Sequence, residues 1–124
     1  MTVRKNKPLS GIKEIDWHFI EITNVIEHVF EKIHLKKVIK DPDDRRKRLY
    51  GYLSDDHTEV YVTHAPPKQP AAKTLLHESL HAICPYVKEA RIKTLEKHLW
   101  KRFTDNQKRH LRRYVPKHMT RKEP

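Results

Sequence analysis

The sequence predicts an α+β fold on two observations. Apolar residues recur three and four positions apart in three separate stretches, and two short segments rich in tyrosine and β-branched residues lie between the first and second of these. At 124 residues the chain is close to the usual size of one domain. Residues 1–124 are therefore read as a single unit with flexible tails at 1–11 and 116–124. The predicted order is an N-terminal helix, a small antiparallel hairpin, a helix bearing a histidine motif, a helix bearing glutamates, and a short basic C-terminal helix.

Each element has its own local reason. Ile15, Phe19, Ile22, Ile26, Val29, Phe30 and Ile33 fall on one side of a helix, opposite Glu21, Glu27, Glu31 and Lys32, which predicts a helix from Ile15 to Ile33. The charged run from Lys36 to Arg48, with Asp41-Pro42-Asp43-Asp44 as a turn signal, reads as a solvated connector. Leu49 to Leu53 and Thr58 to Thr63, separated by Ser54-Asp55-Asp56-His57, suit an antiparallel hairpin. Ala65 to Pro70 breaks regular structure, and Pro70 suits a helix first turn because its missing N–H has no intrahelical partner to lose. A helix follows to about Ile83 and stops before Pro85. The next, from about Lys88 to Phe103, carries Ile92, Leu95, Leu99 and Phe103 on one stripe, and Asp105 caps a last helix reaching about Tyr114.

Composition removes several classes of function. The only glycines are Gly11 and Gly51, so no glycine-rich phosphate loop or dinucleotide fingerprint can form. Cys84 is the single cysteine, which excludes an intrachain disulfide and fits a reducing, cytoplasmic setting. No apolar run approaches the ~18 residues of a membrane span, and no membrane partner is expected. Lysine and arginine total 27 against 16 acids, a formal net charge of +11, which favours anionic partners. Lys108, Arg109, Arg112, Arg113, Lys117, Arg121 and Lys122 could neutralise nucleic-acid phosphates, so a basic nucleic-acid-binding module is one expectation. A non-catalytic zinc-binding protein is another.

The chemistry concentrates in His77-Glu78-Ser79-Leu80-His81, an H-E-x-x-H pentapeptide inside the helix already set by Ala72, Leu76, Leu80 and Ile83. Two histidines four apart project from one side of a helix and can grip one zinc ion, while the intervening glutamate is angled to reach water on that ion. Ten histidines make such a match easier by chance, so its helical placement carries the argument. A catalytic zinc takes three protein ligands and keeps one position open. The metzincin pattern needs Gly and His at positions held by Cys84 and Val87, which excludes it. In a helix hairpin folding near Pro85, positions equidistant from the turn meet, which favours Glu89 as third ligand and leaves Glu96 as the alternative. A first-turn acid favoured by the helix dipole is the plain reading of Glu89, and a solvated partner of Lys93 or Lys97 that of Glu96. His98 and His110 are read as surface histidines.

Leu49-Tyr50-Gly51-Tyr52-Leu53, Glu59-Val60-Tyr61-Val62, the stretch from Thr74 through the H-E-x-x-H motif to Ile83, and the helix pattern Glu89, Ile92, Leu95, Leu99, Trp100 together resemble the compact gluzincin metallopeptidases. That group includes the minigluzincins and the catalytic domain of ImmA/IrrE-type proteins, and the similarity covers about the middle half of the chain. The resemblance implies His77, His81 and Glu89 as zinc ligands, Glu78 as general base, and an edge strand ahead of the motif helix lining the substrate groove. It thus implies a zinc metalloendopeptidase acting on a peptide or protein substrate, and Glu59 to Thr63 is expected to be that strand. The Asn and Asp that flank the ligand glutamate in thermolysin-like members are Lys88 and Lys93 here. Tyr61, His110 and Tyr114 are the candidates for stabilising a tetrahedral oxyanion.

Overall fold

A computed structural model describes residues 13–44, 46–63 and 69–119. The predicted tail at 1–11, residues 120–124 of the predicted tail at 116–124, and residues 65–68 of the proline-rich break lie outside these. Among the described residues the architecture is α+β: four helices, a three-stranded mixed sheet and a two-stranded antiparallel ribbon.

Helix α1 spans Glu14–His28 and buries Ile22 and Ile26. It ends five residues before the predicted limit. Beyond it Glu31 and Lys32 donate their backbone N–H groups to Thr58 O, and the chain enters strand β1, Lys32–Lys36. Ile33 fits both the helical spacing and the strand alternation that includes buried Leu35, so its position could not distinguish them. Pairing with a distant strand decided it.

The expected connector also holds structure. β2, Ile39–Lys40, pairs antiparallel with β3, Arg48–Leu49, and Ile39 is fully buried. The predicted hairpin is present as β4, Gly51–Leu53, against β5, Glu59–Thr63, registered Gly51 to Val62 and Leu53 to Val60. Its loop turns on Asp56, whose carboxylate accepts from Ser54 Oγ, Thr58 Oγ1 and Thr58 N, with His57 at φ 65. β1 lies parallel to β5 on the other side, giving the order β1-β5-β4. Two expectations are therefore corrected: the sheet is mixed, and Glu59 to Thr63 is its centre, with β4 at the edge beside the motif helix. The reason is that β5 is the most apolar strand, with Val60 and Val62 fully buried, and a central position covers both its edges.

Helix α2 spans Ala71–Ile83, with Pro70 in extended conformation at its N-cap. Leu75, Leu76 and Leu80 enter the core with Ile22, Ile26, Val60, Val62, Ile92, Leu99 and Leu111. Helix α3 spans Glu89–Arg102 and α4 Asp105–Arg112. The cap of α4 is Thr104 rather than Asp105. Its hydroxyl accepts from Gln107 N at 3.1 Å while the Gln107 side chain accepts from Thr104 N at 2.9 Å, a reciprocal box that satisfies two otherwise unpaired donors. The chain beyond Pro116 is not wholly a free tail, because Met119 forms a parallel bridge with Leu35 on the outer side of β1.

Candidate metal centre

The site is assembled by the antiparallel pairing of α2 with α3. His81, near the end of α2, meets Glu89 at the start of α3, while His77, one turn earlier, lies against both Glu89 and Glu96. His81 Nε2 is 2.7 Å from Glu89 Oε1, and His77 Nε2 is 3.1 Å from Glu89 Oε2. The two Nε2 atoms are 3.2 Å apart. The donor atoms of His77, His81 and Glu89 all lie within 4.8 Å of one another. A tetrahedral zinc ion with bonds of 2.0–2.1 Å separates its ligand atoms by about 3.3 Å, so this triangle is close to the size such an ion requires. Two imidazoles and one carboxylate are also a donor set that suits zinc. The residues present fit the metal that the sequence motif implies.

Glu96 occupies a different place from the one either sequence reading gave it. It is 6% exposed, and its Oε1 accepts from His77 Nδ1 at 2.6 Å, on the side of the ring away from Glu89. Gln69 Nε2 donates to its Oε2 at 2.9 Å and to Thr74 Oγ1, and Lys73 Nζ stands 4.0 Å away. Burial alone would raise this carboxyl's pKa. The bonds from His77 and Gln69, with the His77 and Lys73 charges, hold it below the usual carboxylate value. Glu96 thus holds a proton on His77 Nδ1 and turns Nε2 towards His81 and Glu89. Seven residues after Glu89, it returns to the same face of α3, two turns on, and that spacing was the available sequence signal.

Glu78 lines the same cleft as the histidines and the α3 glutamates, with its carboxyl against Gly51 of β4. It is 7% exposed, and its carboxyl is pushed up to about 7 by burial, reinforced by Glu89 and Glu96 and opposed by His77. Burial lowers the pKa of His77, but the Glu96 bond and the charges of Glu78 and Glu89 outweigh it and leave the value above that of an ordinary imidazole. Gly51 is what admits Glu78. A Cβ at this position would stand 2.5 Å from Thr74 Cγ2 and 2.8 Å from Glu78 Oε2. An isolated glycine in a strand pattern commonly marks such a close approach, and one of only two glycines in the chain carried that signal.

These groups line one cleft of about 680 Å³ between α2, α3 and the segment from Lys47 to Gly51. Tyr50 lines it and is largely exposed. The three oxyanion candidates do not reach it. Tyr61 is buried against His34, ring centroids 4.4 Å apart. His110 and Tyr114 hydrogen-bond each other, and Tyr114 donates to Glu27. His98 faces Arg102. Of the basic C-terminal residues, Lys108 lies over the Trp100 ring and Arg109 bonds Asn106, while Arg121 and Lys122 are outside the described residues.

Among the described residues no helix is long and apolar enough to cross a membrane. The fold and the site therefore define an α+β chain with a candidate two-histidine, one-glutamate metal centre. Comparison with protein-family models, curated proteins and solved structures finds no match for it.

Proposed function

We propose that this chain is a zinc-dependent metallopeptidase, with His77, His81 and Glu89 as zinc ligands and Glu78 as general base. The observation that carries the proposal is the convergence of the three donors on one point beside a buried carboxyl of raised pKa. A structural zinc site closes its fourth vertex with another protein donor. Among the described residues the donor group consists of His77, His81 and Glu89 alone, and it opens to a cleft.

When bound, zinc supplies Lewis acidity, polarising a carbonyl and making a water molecule more acidic. The protein's own part follows from the positions of its side chains. Glu78, held under β4 beside the donor triad, accepts a proton from water in the cleft and returns it to the departing amine nitrogen. Glu96 keeps the His77 ring turned so that Nε2 faces the centre. The edge of β4 opposite β5 has no strand partner among the described residues. It can hold an extended substrate by main-chain hydrogen bonds, leaving side chains to set preference.

The test is a pair of measurements on one variant. Glu78→Gln should bind zinc at the same stoichiometry as the parent while losing about 10²- to 10⁴-fold in peptide cleavage, the range ascribed to a general acid or base. Loss of zinc together with activity would remove Glu78 from the base role. Absence of zinc from the parent would remove the proposal.

A further inference from the structure

The cations around the cleft make an unusual pattern. Lys47, Arg48, Lys93 and Lys97 line it and are exposed, and among the described residues no acidic side chain forms an ion pair with any of the four. Lys47 and Arg48 stand on the strand bank, just ahead of β4. Lys93 and Lys97 are one turn apart on α3, four and eight residues after Glu89. The acids of the cleft, Glu78, Glu89 and Glu96, are engaged with the metal centre or with one another's partners. Two facing banks of unpaired like charge repel each other, and an anionic group lying between them relieves that repulsion.

We infer that the cleft selects peptides carrying aspartate or glutamate to one side of the cleaved bond, read by Lys47 and Arg48 from one bank and Lys93 and Lys97 from the other. The inference rests on the peptidase reading above and adds its substrate class. Position follows from helix geometry. Lys93 and Lys97 lie about 6 and 12 Å along α3 from Glu89, which an extended chain at about 3.3 Å per residue covers in two to four residues. Lys73, one turn before His77 on the antiparallel α2, adds positive charge on the same side but is partly committed to Glu96. A peptide fits better than a nucleic acid. The unpaired β4 edge matches a peptide main chain, and the three glutamates on the floor would repel a continuous phosphate backbone while tolerating isolated carboxylates held at the rim.

The experiment digests an unbiased peptide library with the zinc-loaded full chain and reads cleavage sites by mass spectrometry. Acidic residues should be enriched about tenfold at positions two to four residues from the cut on one side, less so at high salt. In Lys93→Glu/Lys97→Glu, and separately in Lys47→Glu/Arg48→Glu, the ratio of kcat/KM for acidic over basic peptides should fall at least about tenfold. Zinc content reports whether each variant retains its centre. Cleavage with no acidic preference, or a preference untouched in both variants, overturns the inference and leaves the peptidase reading standing. If no peptide is cut, the peptidase reading fails instead. Binding of a fluorescent glutamate-rich decapeptide to zinc-loaded Glu78→Gln then decides the inference separately. Binding that exceeds a neutral decapeptide about tenfold and is lost in the charge reversals supports it. Equal binding of the two, or displacement by single-stranded DNA at lower concentration than by the peptide itself, overturns it.

Discussion

His77 Nδ1 and the buried carboxylate of Glu96 are 2.6 Å apart, the shortest polar contact in the candidate metal centre. The bond runs between consecutive helices and joins a motif histidine to a residue nineteen positions later. It separates the two glutamates of α3 by role: Glu89 faces the Nε2 atoms and Glu96 holds the ring behind one of them.

That division predicts a graded response to substitution. Glu96→Ala should leave zinc binding intact in kind but weaken it about 10- to 100-fold, as removal of a ligand's carboxylate partner commonly does. Glu89→Ala should weaken it further, since a proposed direct ligand is lost. Competition with a chromophoric chelator measures both. Equal affinity in Glu96→Ala and the parent would show that the His77 ring needs no such support.

Gly51→Ala tests the contact that admits Glu78, the proposed base. The added Cβ would overlap Thr74 and the Glu78 carboxylate. Neither can retreat freely, because both are buried. A loss of about 1–3 kcal/mol is expected from overpacking, together with reduced cleavage at unchanged zinc content because Glu78 is displaced and the ligands are not. Thermal unfolding and a metal assay on the same preparation read the two effects.

Metal-free protein should lose stability as pH rises above about 5. Glu78 has a folded pKa raised from 4.5 to about 7, so the folded state holds its proton more tightly than the unfolded one. Its penalty begins near 4.5 and is complete above about 7, on the order of 3 kcal/mol. His77, also raised, contributes stability below its ordinary value of 6.5 that disappears as pH climbs through its folded value. Glu96, lowered, acts in the opposite sense and loses its contribution on acidification below 4.5. Melting temperatures of chelated protein between pH 4 and 9 should therefore pass through a maximum at about pH 5. A melting temperature that rises between pH 5 and 8 contradicts this assignment.

Zinc uptake should release protons for the same reason. The ligands must be unprotonated, and a bound divalent cation favours the charged form of nearby Glu78. Calorimetry near pH 6.5 in two buffers of different ionisation enthalpy should give different apparent heats. Identical heats would mean that the site takes up metal without losing a proton.

Thr104→Ala removes the capping box of α4. The expected cost is about 1 kcal/mol, seen as a lower melting temperature, because α4 delivers Leu111 to the core.

The helices that carry the site are specified by local residue patterns. The H-E-x-x-H register, Pro70 at the start of α2 and Pro85 after its end are local facts, and they place His77 and His81 on one helix face whatever surrounds them. The hairpin of β4 and β5 was likewise legible in its short polar loop and β-branched flanks. Tertiary structure decided what depends on residues far apart in the chain. Ile33 satisfied helix and strand spacing alike until pairing with Val60 fixed it in β1, which in turn moved β5 to the centre and left β4 as the edge over Glu78. Spacing from the turn at Pro85 favoured Glu89 as the residue facing the histidines, but it gave Glu96, on the same face of α3, no role beyond that of the alternative ligand. Only the depth at which that face meets α2 buried one behind His77 and left the other half-exposed before both histidines.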